Sequence, residues 1–214
     1  MQGENNENSY ITCAGEGRSE TVITKSRFLG YVFPVSTKEE ADGLIASVRS
    51  AHPQARHTVY AYVLRENNYS RYSDDGEPQG TAGMPVLDVI KRQGVTDCLI
   101  AVVRYFGGVL LGTGGLVRAY SSAAAEALTD AGTATMKNCR RYTVSCDYSL
   151  YGKIIAAVNA GGGTVENTLF GEETAIDFFV PVSQSQKLLA ALTECTNGKV
   201  LPVENGEKFV MFEE

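Results

Sequence analysis

Between Cys98 and Val103 the chain reads CLIAVV, six apolar residues with no polar interruption. Successive side chains of a strand point to opposite faces, so an unbroken apolar run demands a sheet covered on both sides. Arg104, Tyr105 and Phe106 end the run, and Gly107, Gly108, Gly112, Gly114 and Gly115 follow. The next segment is helical. Its small residues from Ala119 to Ala127 suit close approach to a sheet, and Gly132 stops it.

The flanking segments give an α+β pattern. Residues 1–19 show no periodicity and read as a loose tail with at most one short strand. TVITKSRFLGYVFPV (21–35) reads as two strands broken near Lys25-Ser26-Arg27. Ala41, Leu44, Ile45 and Val48 then form a helical stripe, with a capping box at Thr37 and Glu40 and a stop at Pro53. HTVYAYVL (57–64) is a strand by its β-branched and aromatic content. RENNYSRYSDDGEPQGTAG, which follows, is a long stretch of turn formers. Pro85 opens a helix that Gly94 ends.

From about Thr133 the pattern restarts as strand, helix, two strands, helix, strand, the split ferredoxin-like order. The expected division is a tail at 1–19, a first domain at 20–136 and a second at 137–214.

Composition narrows the classes. The formal net charge is -6, which weighs against a dedicated nucleic-acid coat. The five cysteines form no CxxC pair and are odd in number, which fits reduced thiols better than a disulfide framework or a zinc ribbon. The N-terminal residues lack a signal peptide's basic end and apolar stretch, and the longest apolar run is far too short to span a bilayer. A cytoplasmic protein without membrane contact is expected; the oligomeric state is left open.

A glycine loop between a strand and a helix can hold an anion, because the first helical N–H groups lack partners and the dipole is positive there. Here no Gly-Lys-Ser/Thr follows and the spacing is not GxGxxG, so neither a Walker A loop nor a Rossmann fingerprint is present. The competing reading is that the glycines permit positive φ and close packing. Asp74, Asp75 and Glu77 in YSDDGEP either share a Mg²⁺ or form a solvated turn. His57 opens a strand and His52 precedes a proline; neither accompanies a nucleophile motif or a second histidine at metal-ligand spacing. Lys25, Arg27, Arg56, Arg71, Arg104 and Arg118 supply cations to the first domain.

SRFLGYVFPV, ARHTVYAYVL, YSDDGEPQGTAGMPVL and VVRYFGGVLLGTGGLVRAY resemble, in that order, the motifs of the IMPACT family in its bacterial YigZ branch. GTGGLVRAYSSAA also resembles the glycine–serine phosphate loop of the GHMP kinases. The family resemblance implies a first domain with the fold of elongation factor G domain IV and the GHMP kinases, and a ferredoxin-like second domain. Eukaryotic relatives act in translational control under amino-acid starvation, by competing for the activator of a kinase that bacteria lack. What transfers is an association with RNA, ribosomes or translation factors.

Two functions are therefore expected. One is a non-enzymatic, translation-linked regulator that binds RNA, ribosome or factor. Its face would comprise Lys25, Arg27, His57, Arg71, Arg104, the five loop glycines and Arg118. The other is an enzyme or sensor taking a phosphorylated small molecule or nucleotide at the glycine loop. No cofactor is expected beyond Mg²⁺ on Asp74, Asp75 and Glu77.

Overall fold

The computed structural model describes residues 8–212, and the chain divides into two compact units. One holds residues 11–135 and the other the described residues on either side. After β1 (Ser9–Cys13), the first unit contains β2 (Gly17–Ile23), β3 (Ser26–Pro34), α1 (Lys38–Ala51), β4 (His57–Leu64) and β5 (Tyr69–Ser73). It continues with α2 (Gly83–Arg92), β6 (Cys98–Tyr105) and α3 (Gly112–Ala131). Its sheet has the order β2-β3-β6-β4-β5, and every pairing is antiparallel.

The apolar run of β6 takes the central place, between β3 and β4. Cys98, Ile100 and Val102 face a core made with α2 and α3. Leu99 packs on the other face with Ala41 and Ile45 of α1, while Ala101 and Val103 meet Val48. Both faces are thus covered in an antiparallel sheet, by one helix on one side and two on the other. The capping box of α1 is present, with Glu40 N–H bonded to Thr37 Oγ1 and the Glu40 carboxylate accepting from Thr37 N–H. On the α3 side the sheet supplies Gly30, where a Cβ would stand 2.6 Å from the carbonyl oxygen of Ala123. The alanine face of α3 and that glycine let helix and sheet approach closely.

Two expectations need correction. Residues from Ser9 are not a loose tail: the one short strand allowed there is β1, and the strand read from Thr21 begins earlier, at Gly17, as β2, with Thr12, Cys13 and Gly17 buried; residues 1–7 lie outside the described residues. β2 is an edge strand, and its hairpin with β3 turns on Thr24 and Lys25, both at positive φ (48° and 65°). Such paired left-handed residues match the twist of a two-residue hairpin, although neither is the usual glycine. The polar stretch after β4 is likewise not all turn: Tyr69–Ser73 forms β5 at the opposite edge. Its residues are mostly exposed, and pairing with Tyr60–Leu64 supplies the hydrogen bonds that hold it.

The second unit contains most of β7 (Thr133–Cys146), whose first three residues precede the division. It continues through α4 (Tyr148–Ala160), β8 (Thr164–Phe170), β9 (Thr174–Pro181), α5 (Val182–Cys195) and β10 (Val203–Phe212). Strands follow the order β1-β7-β9-β8, with β10 also on β7. This is the βαββαβ arrangement, and Ile154 and Val158 of α4 and Leu188 and Leu192 of α5 close its core. All five cysteines are unpaired. No helix among the described residues is long and apolar enough to cross a membrane.

Candidate ligand-binding cleft

At the end of β6 nearest α3, a cleft of about 370 Å³ opens between the sheet and the helix N-terminus. Strand register explains what lines it. Arg104 stands directly across from His57 on β4 and from Phe28 on β3, so all three share the face that α3 covers. The loop after β6 carries Phe106, Leu110 and Leu111 to the walls, and Gly112, Thr113 and Leu116 begin the helix. Glu77 and Pro78 close the side, and Arg56 stands exposed at the rim.

Arg104 and Glu77 form a buried ion pair at 2.6 Å, with side chains 6% and 4% exposed. The same Glu77 Oε1 accepts a 2.7 Å hydrogen bond from the Tyr120 hydroxyl. Burial, and then the neighbouring Glu77 charge, push the Tyr120 phenol far above its ordinary pKa, so it remains a donor. Arg104 Nη2 reaches Ser26 Oγ at 3.4 Å, and the guanidinium carbon lies 5.5 Å from each of the Phe28 and Phe106 ring centres. Arg104 Nε is buried without a hydrogen-bond partner among the described residues.

Gly107 is placed by contact, not by ligand. Its N–H donates to Ser26 Oγ, and a Cβ there would sit 1.9 Å from the carbonyl oxygen of Lys25 in the β2–β3 turn. Gly112, Gly114 and Gly115 belong to α3 itself, so the loop proper is shorter than the expected Gly107–Gly115. No side chain among the described residues caps the α3 N-terminus. Gly112 and Thr113, the first residues of the helix, line the cleft at the end where the helix dipole favours negative charge.

The acidic turn divides among three tasks. Asp74 accepts from Gly80, Ala82 and Gly83 N–H and so ties down the start of α2. Asp75 accepts from Thr58 N–H and Arg49 Nη2, while its carbonyl faces His57 Nδ1 at 2.8 Å. Only Glu77 belongs to the cleft. The three carboxylates do not share a cation site, and no cluster of metal-ligating side chains occurs among the described residues. Because a carbonyl only accepts, His57 Nδ1 carries the proton, and Nε2 is the ring atom left for a ligand.

The expected basic face does not converge. Arg27 and Arg71 stand across from Tyr105 and Tyr62, on the sheet face opposite Arg104. Lys25 lies in the hairpin turn, and Arg118 is exposed along α3 with Nε donating to Gly114 O. Arg104, His57, Glu77 and Gly112 are the residues brought together. Arg56 appeared in the sequence only as one cation among six. Phe106, Leu110, Leu111, Thr113 and Tyr120 were missed. A signal existed in Val109, Leu110 and Leu111 standing between glycines, where a loop offers apolar side chains no core of their own; Leu110 is 86% exposed.

Comparison with known proteins places these residues in a matched region. A family model described as the Impact N-terminal domain matches residues 24–128, and a domain of unknown function (DUF1949) matches residues 144–199. The chain is 38% identical over 192 residues to IMPACT family member YvyE of Bacillus subtilis, covering 89% of this chain and 88% of the relative. It is 35% identical over 181 residues to IMPACT family member YigZ of Escherichia coli, covering 83% and 89%. A solved structure titled as that of an hypothetical protein is similar with a TM-score of 0.60 at 32% identity, covering 92% of this chain and 97% of the other.

Proposed function

Because the chain belongs to the IMPACT family, we propose that it is a translation-linked binding protein rather than an enzyme. Its α3 cleft would receive the phosphate of a nucleotide, either free or at the end of an RNA. The observation that carries this reading is the N-terminus of α3, without a side-chain cap among the described residues, opening into a cleft with apolar walls and an exposed arginine at its rim. Backbone N–H groups of Gly112 and Thr113 and the Arg56 guanidinium would hold the phosphate oxygens. Phe106, Leu110 and Leu111 would cover the apolar part of the ligand. The translational link rests on the resemblance to elongation factor G. Against catalysis, Tyr120 is held protonated, and among the described residues His57 bonds the Asp75 carbonyl and no serine, threonine or cysteine side chain.

The broad RNA face proposed from sequence has less support than the cleft, since Arg27 and Arg71 point to the other side of the sheet. The sensor reading keeps a specific observation in its favour, namely that the cleft is the size of a small-ligand site. Calorimetric titration with AMP, ATP, inorganic phosphate and a 5′-phosphorylated RNA separates them. A free nucleotide at a hundredfold its Kd should stabilise the fold by about 2.7 kcal/mol. Arg56→Ala should weaken binding about fivefold to tenfold with little change in melting temperature. Preference for the RNA end over AMP supports the RNA form of the reading, and equal affinity supports a sensor. If none of the four binds, the cleft is not a phosphate site; turnover of ATP would make the protein an enzyme.

A further inference from the structure

A second depression of about 360 Å³ lies on the sheet face opposite the α3 cleft, lined by Arg18, Glu20, Arg27, Tyr31 and His52 among others. On this face α1 packs on β4 and β6. The β2–β3 side presents guanidinium and phenol groups where the covered half presents apolar ones. Cross-strand register makes two pairs of the same kind: Arg18 faces Tyr31, and Arg27 faces Tyr105. Each guanidinium carbon lies 5.9 Å from the centre of its partner ring.

His52, the residue that closes α1, joins the two phenols. Its Nε2 lies 2.7 Å from the Tyr31 hydroxyl and its Nδ1 2.8 Å from that of Tyr105. Burial, then the Arg27 charge, lowers the His52 pKa and favours neutral imidazole, with one nitrogen donating and the other accepting. Both rings are therefore held by hydrogen bonds while remaining only partly buried.

The cations are available. Arg18 forms no ion pair among the described residues. Arg27 is paired with Glu20 at 2.7 Å, but the two side chains are 49% and 54% exposed. The pair is a two-bond fork, with Nη2 also reaching Glu20 Oε2 at 3.0 Å, and a phosphate presents the same fork in competition with the carboxylate.

We infer that this face binds single-stranded nucleic acid, with a base stacked on Tyr31 and phosphates held by Arg18 and Arg27. Stacking platforms beside backbone-tracking cations are how single strands are held without base-specific hydrogen bonds. Tyr31 and Arg27 are four residues apart on β3, or roughly 13 Å at strand rise, which calls for a ligand with successive phosphates rather than a mononucleotide. The aromatic partner beside each guanidinium favours a nucleic acid over an acidic peptide, which would use the charges and leave the rings idle. The inference is independent of the α3 cleft.

The test is fluorescence anisotropy of a labelled oligouridine about ten nucleotides long, titrated with the full chain at increasing salt. Two neutralised phosphates predict a slope of log K against log[salt] of about −1.4. The double variant Arg18→Ala, Arg27→Ala should weaken binding at least about tenfold and flatten that slope. Tyr31→Leu should weaken it about fivefold or more, and Glu20→Gln, which frees Arg27, should tighten it. Each variant is checked by its melting temperature, and the gain expected from Glu20→Gln cannot come from misfolding. Three results would overturn the inference: no saturable binding, displacement by UMP or polyglutamate as effective as by oligouridine, or binding lost in Arg56→Ala but unchanged in the double arginine variant. The last would place RNA in the α3 cleft.

Discussion

Arg104→Ala is expected to lower unfolding stability by about 3–5 kcal/mol, measured by chemical denaturation of the full chain. The arginine is buried against Glu77, and truncation leaves a carboxylate in a low-dielectric site with Tyr120 as its one remaining hydrogen-bond donor. The cost comes from the stranded charge more than from the lost attraction. Removing the whole network therefore discriminates. The triple variant Arg104→Met, Glu77→Leu, Tyr120→Phe replaces it with apolar groups and should recover most of the loss. A single variant of unchanged stability would show that Arg104 is not structural and would return it to the anion site read from sequence. A folded triple variant without nucleotide affinity would show that the network also touches the ligand.

Gly107→Ala is expected to cost about 3 kcal/mol, the upper end for inserting one methyl into a packed position. The new Cβ would meet the Lys25 carbonyl oxygen at 1.9 Å and its carbon at 2.0 Å. Both belong to backbone, so no rotamer change relieves the contact. Either the β2–β3 turn or the loop to α3 must move, and the cleft wall at Phe106 moves with the latter. Gly108→Ala is the control. Nothing approaches a Cβ at that position, but φ is +83°, so it should cost about 1 kcal/mol of backbone strain alone. Equal effects in denaturant melts would show that contact with the hairpin does not set the choice of glycine at 107.

Much of the first unit was legible because its signals are local. Thr37 and Glu40 mark the start of α1 three residues apart, and the apolar stretch of β6 states its own double burial. The start of β2 and the whole of β5 were harder because edge strands gain their order from backbone pairing with a neighbour, and their alternating polar residues resemble loops. The site was legible only in part. Arg104 and the loop glycines stood out, but Glu77 joins Arg104 across 27 positions of chain. Whether a cation belongs to the α3 face depends on strand parity: Phe28, not Arg27, stands opposite Arg104. One residue of offset moves a side chain through the sheet, and composition carries no trace of that.

The central position of β6 also sets which part of the first unit opens last. Its backbone is paired on both edges, and Leu99 to Val103 are fully buried from both faces. A fluctuation that frees one of these amides must detach β3 or β4 and separate a helix layer as well, which dismantles the unit. Deuterium should therefore enter Leu99–Val103 only through complete unfolding of that unit, at a rate that reports its global free energy. Amides on the outer side of β5, at the sheet's border, should label early.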